Sequence, residues 1–385
     1  MKSFGPVIVF MVFFGLSAEA QIHKKIISND SIVLLDNMVK KVGKNVNFTI
    51  VPGPAYGVSQ KLGLVVLPMI FYNLKRSDTL SPPSSTALLG YFDFYGSWMV
   101  AVKQSLYWND NKWRAFVSGG YGELKLKYFG VGRDTSIVSN DESNYMWVRM
   151  SFSDENLTCY RKIYKGLYGG LEYRYSYSNL AGSDSAATAQ LTSDSIALGK
   201  VTESVFAPLF IWDSRDYIYW TKKGYYAGLN FQFANNIILS SQNYGILTGW
   251  VNGYHQINLM KRPCVLSWHL YFQSGWGEMP YFRYASYGQG DDVTGYTRGK
   301  YVNKSETTAQ VELKSVVWKF IAAGVYGGTG KVFPSMDVFG QSVWLHYGGV
   351  RLYANILPVR DIWLRLDMAV ARSDWGFYVG VGQAF

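Results

Sequence analysis

The chain has 385 residues, 48% of them hydrophobic, 17% charged and 17% aromatic, with a formal net charge of +10. It is too apolar and too aromatic to be disordered, and its four His and two Cys leave little for a metal cluster or a disulfide framework. Past residue 20 no run approaches the roughly 18 continuous apolar residues of a membrane helix, which excludes a helical membrane protein but not a membrane β-barrel.

Lys2 is followed by an apolar run from Val7 to Ser17 and by Ser17-Ala18-Glu19-Ala20. A positive start, an apolar core and an A-x-A ending predict an export signal over 1–20, cleaved before Gln21. Cleavage would remove one charge of each sign and leave the balance at +10. The charges recur singly rather than in blocks, which argues against a nucleic-acid partner. Residues 21–48 predict a short periplasmic segment with one helix around Ser31 to Val39, too small to bury a domain core.

From 49 to 385 the chain alternates with period two. Leu124, Leu126 and Tyr128 oppose Lys125 and Lys127; Met146, Val148, Met150 and Phe152 oppose Arg149. Leu167, Leu171, Tyr173, Tyr175 and Tyr177 oppose Glu172, Arg174 and Ser176. Tyr225, Ala227, Leu229, Phe231 and Phe233 oppose Asn230 and Gln232, and Leu266, Trp268, Leu270 and Phe272 oppose Ser267 and His269. Ile362, Leu364, Leu366, Met368 and Val370 oppose Arg365 and Asp367.

A soluble sandwich and a membrane barrel both alternate in this way. Three features select the barrel: strands long enough to cross a tilted bilayer, charges of both signs on the inner parity, and Tyr or Trp at strand ends. Short turns such as Asn109 to Lys112 also alternate with long polar segments near 132–144, 178–200 and 278–306, as in outer-membrane barrels. The predicted fold is therefore all-β, a transmembrane antiparallel β-barrel over 49–385. About 337 residues suit 16 strands at about 21 each with connections; 14 or 18 also fit the arithmetic. The chain closes on an apolar alternating strand with Gly376, Phe377, Val379, Val381 and a terminal Phe385, which resembles the signal by which bacterial outer-membrane barrels are recognised for assembly.

Catalytic chemistry is sparse. Gly324 to Lys331 imitates a phosphate loop but follows one strand and enters another, so it reads as a strand with a Gly-rich turn. His269 and Ser267 would share one strand face, without an identifiable orienting carboxylate. Cys159 and Cys264 read as free thiols, and Asn47, Asn156 and Asn303 match a glycosylation pattern of little meaning in a bacterial barrel. No metal site and no cofactor are expected.

Two charged constellations stand out: Asp213-Ser214-Arg215-Asp216 before Gly224, and Gly295-Tyr296-Thr297-Arg298-Gly299-Lys300-Tyr301 inside the longest polar segment. An Arg298 folded into the lumen would need carboxylate or carbonyl partners, because unpaired burial is costly. Glu312 and Asp367 lie on inward parities and, with Arg351 and Arg365, are the candidates for lumen pairing.

At these residues the chain resembles the bacterial surface antigen domain, the barrel of the superfamily that contains the BamA and TamA assembly factors and the two-partner secretion transporters. Thr297 to Lys300 is similar to that family's Val-Arg-Gly-Tyr/Phe loop motif, with Thr297 in the hydrophobic position and the aromatic displaced to Tyr301. Phe210 to Asp216 with Gly224 is similar to its D-x-R-D…G hairpin. Val51 to Gly63 resembles its first strand, and Gly349 to Arg351, Arg365 to Asp367 and Gly382 to Phe385 its last three. Gly328 stands where the family has an Asp. The resemblance implies an inward-folded loop braced by Arg298 and a weak seam between first and last strands, loosened by Gly376, Gly380 and Gly382. It further implies an outer-membrane location among lipids and the assembly machinery, and a barrel-only member without N-terminal POTRA domains. The expected function is non-enzymatic, in or beside outer-membrane protein assembly or as an accessory subunit. The alternatives are an anion-preferring channel lined by Lys125, Lys127, Arg149, Arg174, Lys314 and Arg351, or a hydrolase.

Overall fold

The structure is a computed structural model that describes residues 46–57, 60–78, 80–81, 84–132, 145–217, 220–288, 293–297, 299–357, 362–372 and 375–385. The export signal, the segment 21–45 and Arg298 lie outside the described residues.

One sheet of 16 antiparallel strands forms the wall, each strand paired with the next along the chain. Its first half comprises β1 (Val46–Gly57), β2 (Gln60–Tyr72), β3 (Ser84–Asp93), β4 (Trp98–Trp108), β5 (Trp113–Tyr128), β6 (Met146–Tyr164), β7 (Leu167–Gly182) and β8 (Gly199–Asp213). A helix, α1 (Ser185–Ser193), sits between β7 and β8. The wall continues with β9 (Gly224–Ala234), β10 (Tyr244–Leu259) and β11 (Arg262–Gly277). A separate two-stranded ribbon, β12 (Ala285–Tyr287) and β13 (Tyr301–Asn303), lies within the next connection. Then follow β14 (Ser305–Trp318), β15 (Ile321–Phe333), β16 (Leu345–Leu357), β17 (Ile362–Ala371) and β18 (Trp375–Val381). No described helix is long and apolar enough to cross a membrane.

The barrel begins at Val46, three residues before the expected boundary, and Val51 to Gly63 covers the end of β1 and the start of β2 rather than one strand. Gly324 to Lys331 is uninterrupted β15, with no turn.

Alternation orients the strands. Val117, Leu157, Leu171, Phe210, Leu229, Val251, Leu270, Val311, Val325 and Leu352 are exposed on the outer surface. Glu203, Ser267, His269, Glu312, Lys314, Arg351, Arg365 and Asp367 are buried inside. A water-facing β-wall would hide those apolar side chains; a lipid-facing one displays them. Short connections at 109–112, 165–166, 260–261 and 319–320 gather at one end, with long ones at 183–198, 278–304 and 334–344 at the other.

The upper ends of β5 and β6 depart from the expected parity. Tyr128 and Val148 are buried under α1 beside Leu180, Leu191 and Ile196. Lys125, Lys127 and Arg149 take the outward parity of Val117 and Leu157. The cause is length: β5 has 16 residues and β6 19, more than a crossing needs. Past the membrane the inner face meets packed loops and the outer face meets water, so apolar and charged parities exchange.

Burying the Leu229 side of the wall in lipid predicts that Leu229→Arg lowers folding stability in vesicles by about 2–4 kcal/mol, measured by reversible urea unfolding; an unchanged midpoint would contradict the outward assignment.

Candidate functional site

The connection between β11 and β14 folds into the barrel and fills its long-loop half. Tyr287, Val293, Tyr296 and Tyr301 from this loop pack with Tyr326, Leu345, Tyr347, Ala369 and Tyr378 from β15–β18. Hydroxyls satisfy the buried backbone. Tyr378 OH accepts from Gly295 N (2.7 Å), Tyr296 OH donates to His346 O (2.7 Å) and Tyr287 OH to Leu345 O (3.1 Å), while Thr294 Oγ1 meets Tyr326 OH (2.7 Å). The opposite side of the loop supplies Tyr281 to the cluster beneath α1, and Met279 and Tyr284 to one on β8–β10.

Gly328 is a close-approach position on β15. A Cβ there would lie 2.4 Å from the Tyr347 ring. The missing side chain makes room for the aromatic layer that meets the loop.

The loop motif lies at this tip. Gly295, Thr297, Gly299, Lys300 and Tyr301 are described, and Thr297, Lys300 and Tyr301 are buried. Lys300 N donates to Thr297 O (3.2 Å), and Gly299 has φ +80°, closing a tight turn with Gly at its third position. Gly299 N donates to Ser286 Oγ (3.0 Å), and an added Cβ at Gly299 would lie 3.3 Å from Lys127 O of β5. Gly132 N bonds Val302 O at 3.0 Å. The turn therefore reaches the β5 side of the lumen.

The carboxylates proposed for Arg298 have other partners. Arg351 NH1 lies 3.3 Å from Glu312 Oε2, and its Nε lies 3.4 Å from Asp367 Oδ2. Arg365 Nε reaches the same Asp367 oxygen at 3.0 Å, and Tyr353 OH donates to Glu312 Oε1 at 2.5 Å. The Arg351 guanidinium covers the Tyr326 ring at 3.8 Å. All four charges are buried, so each answers the desolvation of the next. Lys314 bonds the Gln383 side chain and lies 4.5 Å over the Trp220 ring.

The sequence reading missed the cation that ties the loop to the opposite wall. Arg283, on a single 3-10 turn (Tyr281–Arg283), reaches Glu203 of β8 at 2.9 Å and Asp154 of β6 at 3.4 Å. It also donates to Ser176 Oγ at 3.1 Å, while Ser176 and Tyr244 donate to Glu203. The network continues through Arg174 and Glu172 (2.9 Å) to Asn230. Glu203 on an inward parity was its one legible sign.

The Asp213 motif organises the short-turn end of the β8–β9 hairpin, midway in the strand order. Arg215 grips Asp213 with Nε (2.9 Å) and NH2 (3.0 Å), Arg114 NH1 approaches at 3.7 Å, and Arg215 covers Tyr226. Asp216 Oδ1 accepts from the N–H groups of Tyr217 and Lys222. Gly224 has φ +111°, and a Cβ there would strike Ser214 O at 2.3 Å. This connection sends Trp220 inward against Trp363 (centroids 4.4 Å apart) and Tyr353.

The final strand ends at Val381, not Phe385. Gly382 has φ +83° and bonds Trp363 O, and residues 382–385 turn into the barrel mouth. Tyr254 OH donates to Phe385 O (2.5 Å), and the Phe385 ring lies 5.2 Å from His269. Phe385 thus leaves the parity of Phe377. Gly376 is buried; the side chains of Val379 and Val381 lie outside the described residues. His269 Nδ1 meets Asn252 Oδ1 at 2.7 Å.

No protein-family model matches the chain, and no curated protein matches it. Solved structures do. BamA from Haemophilus ducreyi lacking POTRA domains 1–3 aligns with TM-score 0.58 at 12% identity, over 88% of this chain and 70% of that one. CdiB from Acinetobacter baumannii aligns with TM-score 0.57 at 11% identity, over 88% of this chain and 60% of that one. The likeness is one of fold. The protein is a bacterial outer-membrane β-barrel. Its short turns therefore face the periplasm and its long loops the exterior.

Two outcomes follow from the pairing. Glu312→Gln should lower stability by about 3–5 kcal/mol by leaving Arg351 and Arg365 to share Asp367 alone, and adding Arg351→Met should restore much of it, read from the temperature at which the folded gel species is lost. Arg283→Ala should cost about 1.5–3 kcal/mol and expose 278–304 to protease in the folded barrel; a segment as well protected as in the unaltered barrel would remove the anchoring role of Arg283.

Proposed function

We propose that this barrel acts in or beside the assembly of other outer-membrane proteins, as an insertase-like or accessory barrel whose first and last strands form a separable seam. The observation that carries this reading is the pair Pro52 and Pro54 in β1. Neither has an N–H, and residues two apart in a strand direct their backbone groups to the same edge. Both paired positions face β2 partners in an otherwise continuous ladder, Pro52 with Val66 and Pro54 with Leu64. Proline in sheets belongs to edges. The donors missing from β1 are thus those that would bond β18, itself only seven residues long. A seam short of hydrogen bonds parts at lower cost than a fully bonded pair.

The likeness in fold to BamA and CdiB supports this reading without extending it to a client. The barrel's lipid partners are those of the outer membrane, and the assembly machinery is its partner at least for its own insertion. The chain acts without enzymatic chemistry: His269 is held by an amide oxygen and covered by a Phe ring, the setting of a packed imidazole.

The channel alternative is weaker on two counts. Lys125, Lys127 and Arg149 face outward, and Lys314 and Arg351 are buried in contacts rather than bathed by a pore.

Depletion followed by quantitative proteomics of the outer membrane tests the role. Loss of other barrels is expected; an unchanged outer-membrane proteome would overturn it. The double substitution Pro52→Val and Pro54→Val restores two donors. It should raise the barrel's heat resistance while reproducing the depletion phenotype.

A further inference from the structure

The hairpin of β9 and β10 is uncharged from end to end. Between Lys223 and Lys261 the sequence holds no Lys, Arg, Asp or Glu. Its exterior turn, residues 235–243, therefore differs from its neighbours. The β7–β8 connection carries Asp184 and Asp194, and the β11–β14 connection carries Glu278, Arg283, Lys300 and Lys304. The β9–β10 turn instead presents Ile237, 90% exposed, and Leu239, 78% exposed. Polar side chains brace it from behind. Asn235 Oδ1 accepts from Ile237 N (2.9 Å), Asn243 Oδ1 accepts from Asn236 N (3.0 Å), and Ser241 Oγ donates to Thr202 O of β8 (2.8 Å). Leu239 stands at φ +69°, in the left-handed region that a bulky side chain seldom adopts. Gly or Asn would relax that backbone; Leu239 turns an aliphatic side chain outward in spite of the strain.

The wall below this turn faces lipid. Phe206, Phe231, Phe233 and Trp276 are exposed outward on β8, β9 and β11. Phe206 and Phe231 lie 6.3 and 6.2 Å from Phe233, and Phe231 lies 5.8 Å from Trp276. On β9 the apolar surface runs from Tyr225 to Phe233, both exposed. At ~3.3 Å per residue and a tilt near 40°, that length rises about 20 Å, whereas the apolar band of an outer-membrane barrel is about 25 Å tall. The strand alone leaves the band short. The next large apolar side chains along the chain are Ile237, Ile238 and Leu239, and they stand where the missing layer belongs.

We propose that the β9–β10 turn is a membrane anchor, with Ile237 and Leu239 set among the acyl chains of the outer leaflet just beneath its headgroups. Lipid hydrocarbon is the occupant because the turn continues the lipid-facing wall and offers no charge to a headgroup or to a protein. Burial of the two aliphatic side chains there offsets the strained backbone that displays them. The turn is clamped to β8, so the anchor fixes the height of this wall, half-way along the strand order from either end. The contact is independent of the seam.

The test uses the purified full-length barrel with Cys159→Ser and Cys264→Ser, carrying a nitroxide on Ile237→Cys or on Leu239→Cys, in vesicles of dioleoylphosphatidylcholine. Electron paramagnetic resonance reads collisions of the label with oxygen and with a water-soluble nickel chelate. The reference is a label on Ala189→Cys, exposed on α1. Both turn labels should gain oxygen collisions and lose nickel collisions relative to that reference. Nickel access as free as at residue 189, at either position, would overturn the proposal and leave the turn to a protein partner. A second variant separates side chain from backbone. Asn tolerates the left-handed region, so Ile237→Asn with Leu239→Asn keeps the turn and removes only its apolar surface. The pair should lower the urea midpoint in the same vesicles; an unchanged or higher midpoint would overturn the anchor.

Discussion

A wall of 16 strands encloses more space than its own inward side chains can fill. In lipid the backbone must bond to itself, so the wall cannot shed strands to escape the problem. The interior is completed instead by chain that is not wall: the 278–304 loop from the exterior end, and the Trp220 turn and residues 382–385 from the periplasmic end. Tyrosine is the residue suited to this, since its ring fills volume and its hydroxyl satisfies loop and strand-end backbone that no ladder reaches.

The interior charges follow the same constraint. A buried loop backbone and wall polar groups cannot tolerate a lone ion, so Arg283, Arg351 and Arg365 each meet a carboxylate and Lys314 meets an aromatic face. Two separate networks result, one on β6–β9 closed by Arg283 and one on β14–β17 closed by Arg351.

Much of the fold was legible, because lipid enforces alternation without exception inside the bilayer. Strand faces from Leu167 to Tyr177, Tyr225 to Phe233 and Ile362 to Val370 read correctly for that reason. The rule lapses where the bilayer ends, which is why Leu124 to Tyr128 and Met146 to Phe152 read inverted. The site was less legible. Glu312, Arg351, Arg365 and Asp367 announced themselves as inward charges, but which ion meets which depends on register across four strands. Arg283 sits on a short turn with no periodicity to orient it, and Gly328 gave no sign that a tyrosine ring occupied its side-chain space. Gly382 turns Phe385 inward by one backbone angle that alternation does not encode.

Arg283 on one wall and Gly295 and Thr294 on the other make the inward loop a strut across the barrel's bore. A strut fixes the spacing of the walls it joins, so β6–β8 and β15–β18 move as one braced frame. Widening of the ring is then left to the arcs outside that frame, one of which runs through β1–β4, beside the strand whose prolines leave it short of bonds. Mechanical compliance and the weakest pairing thus fall on the same side of the cylinder.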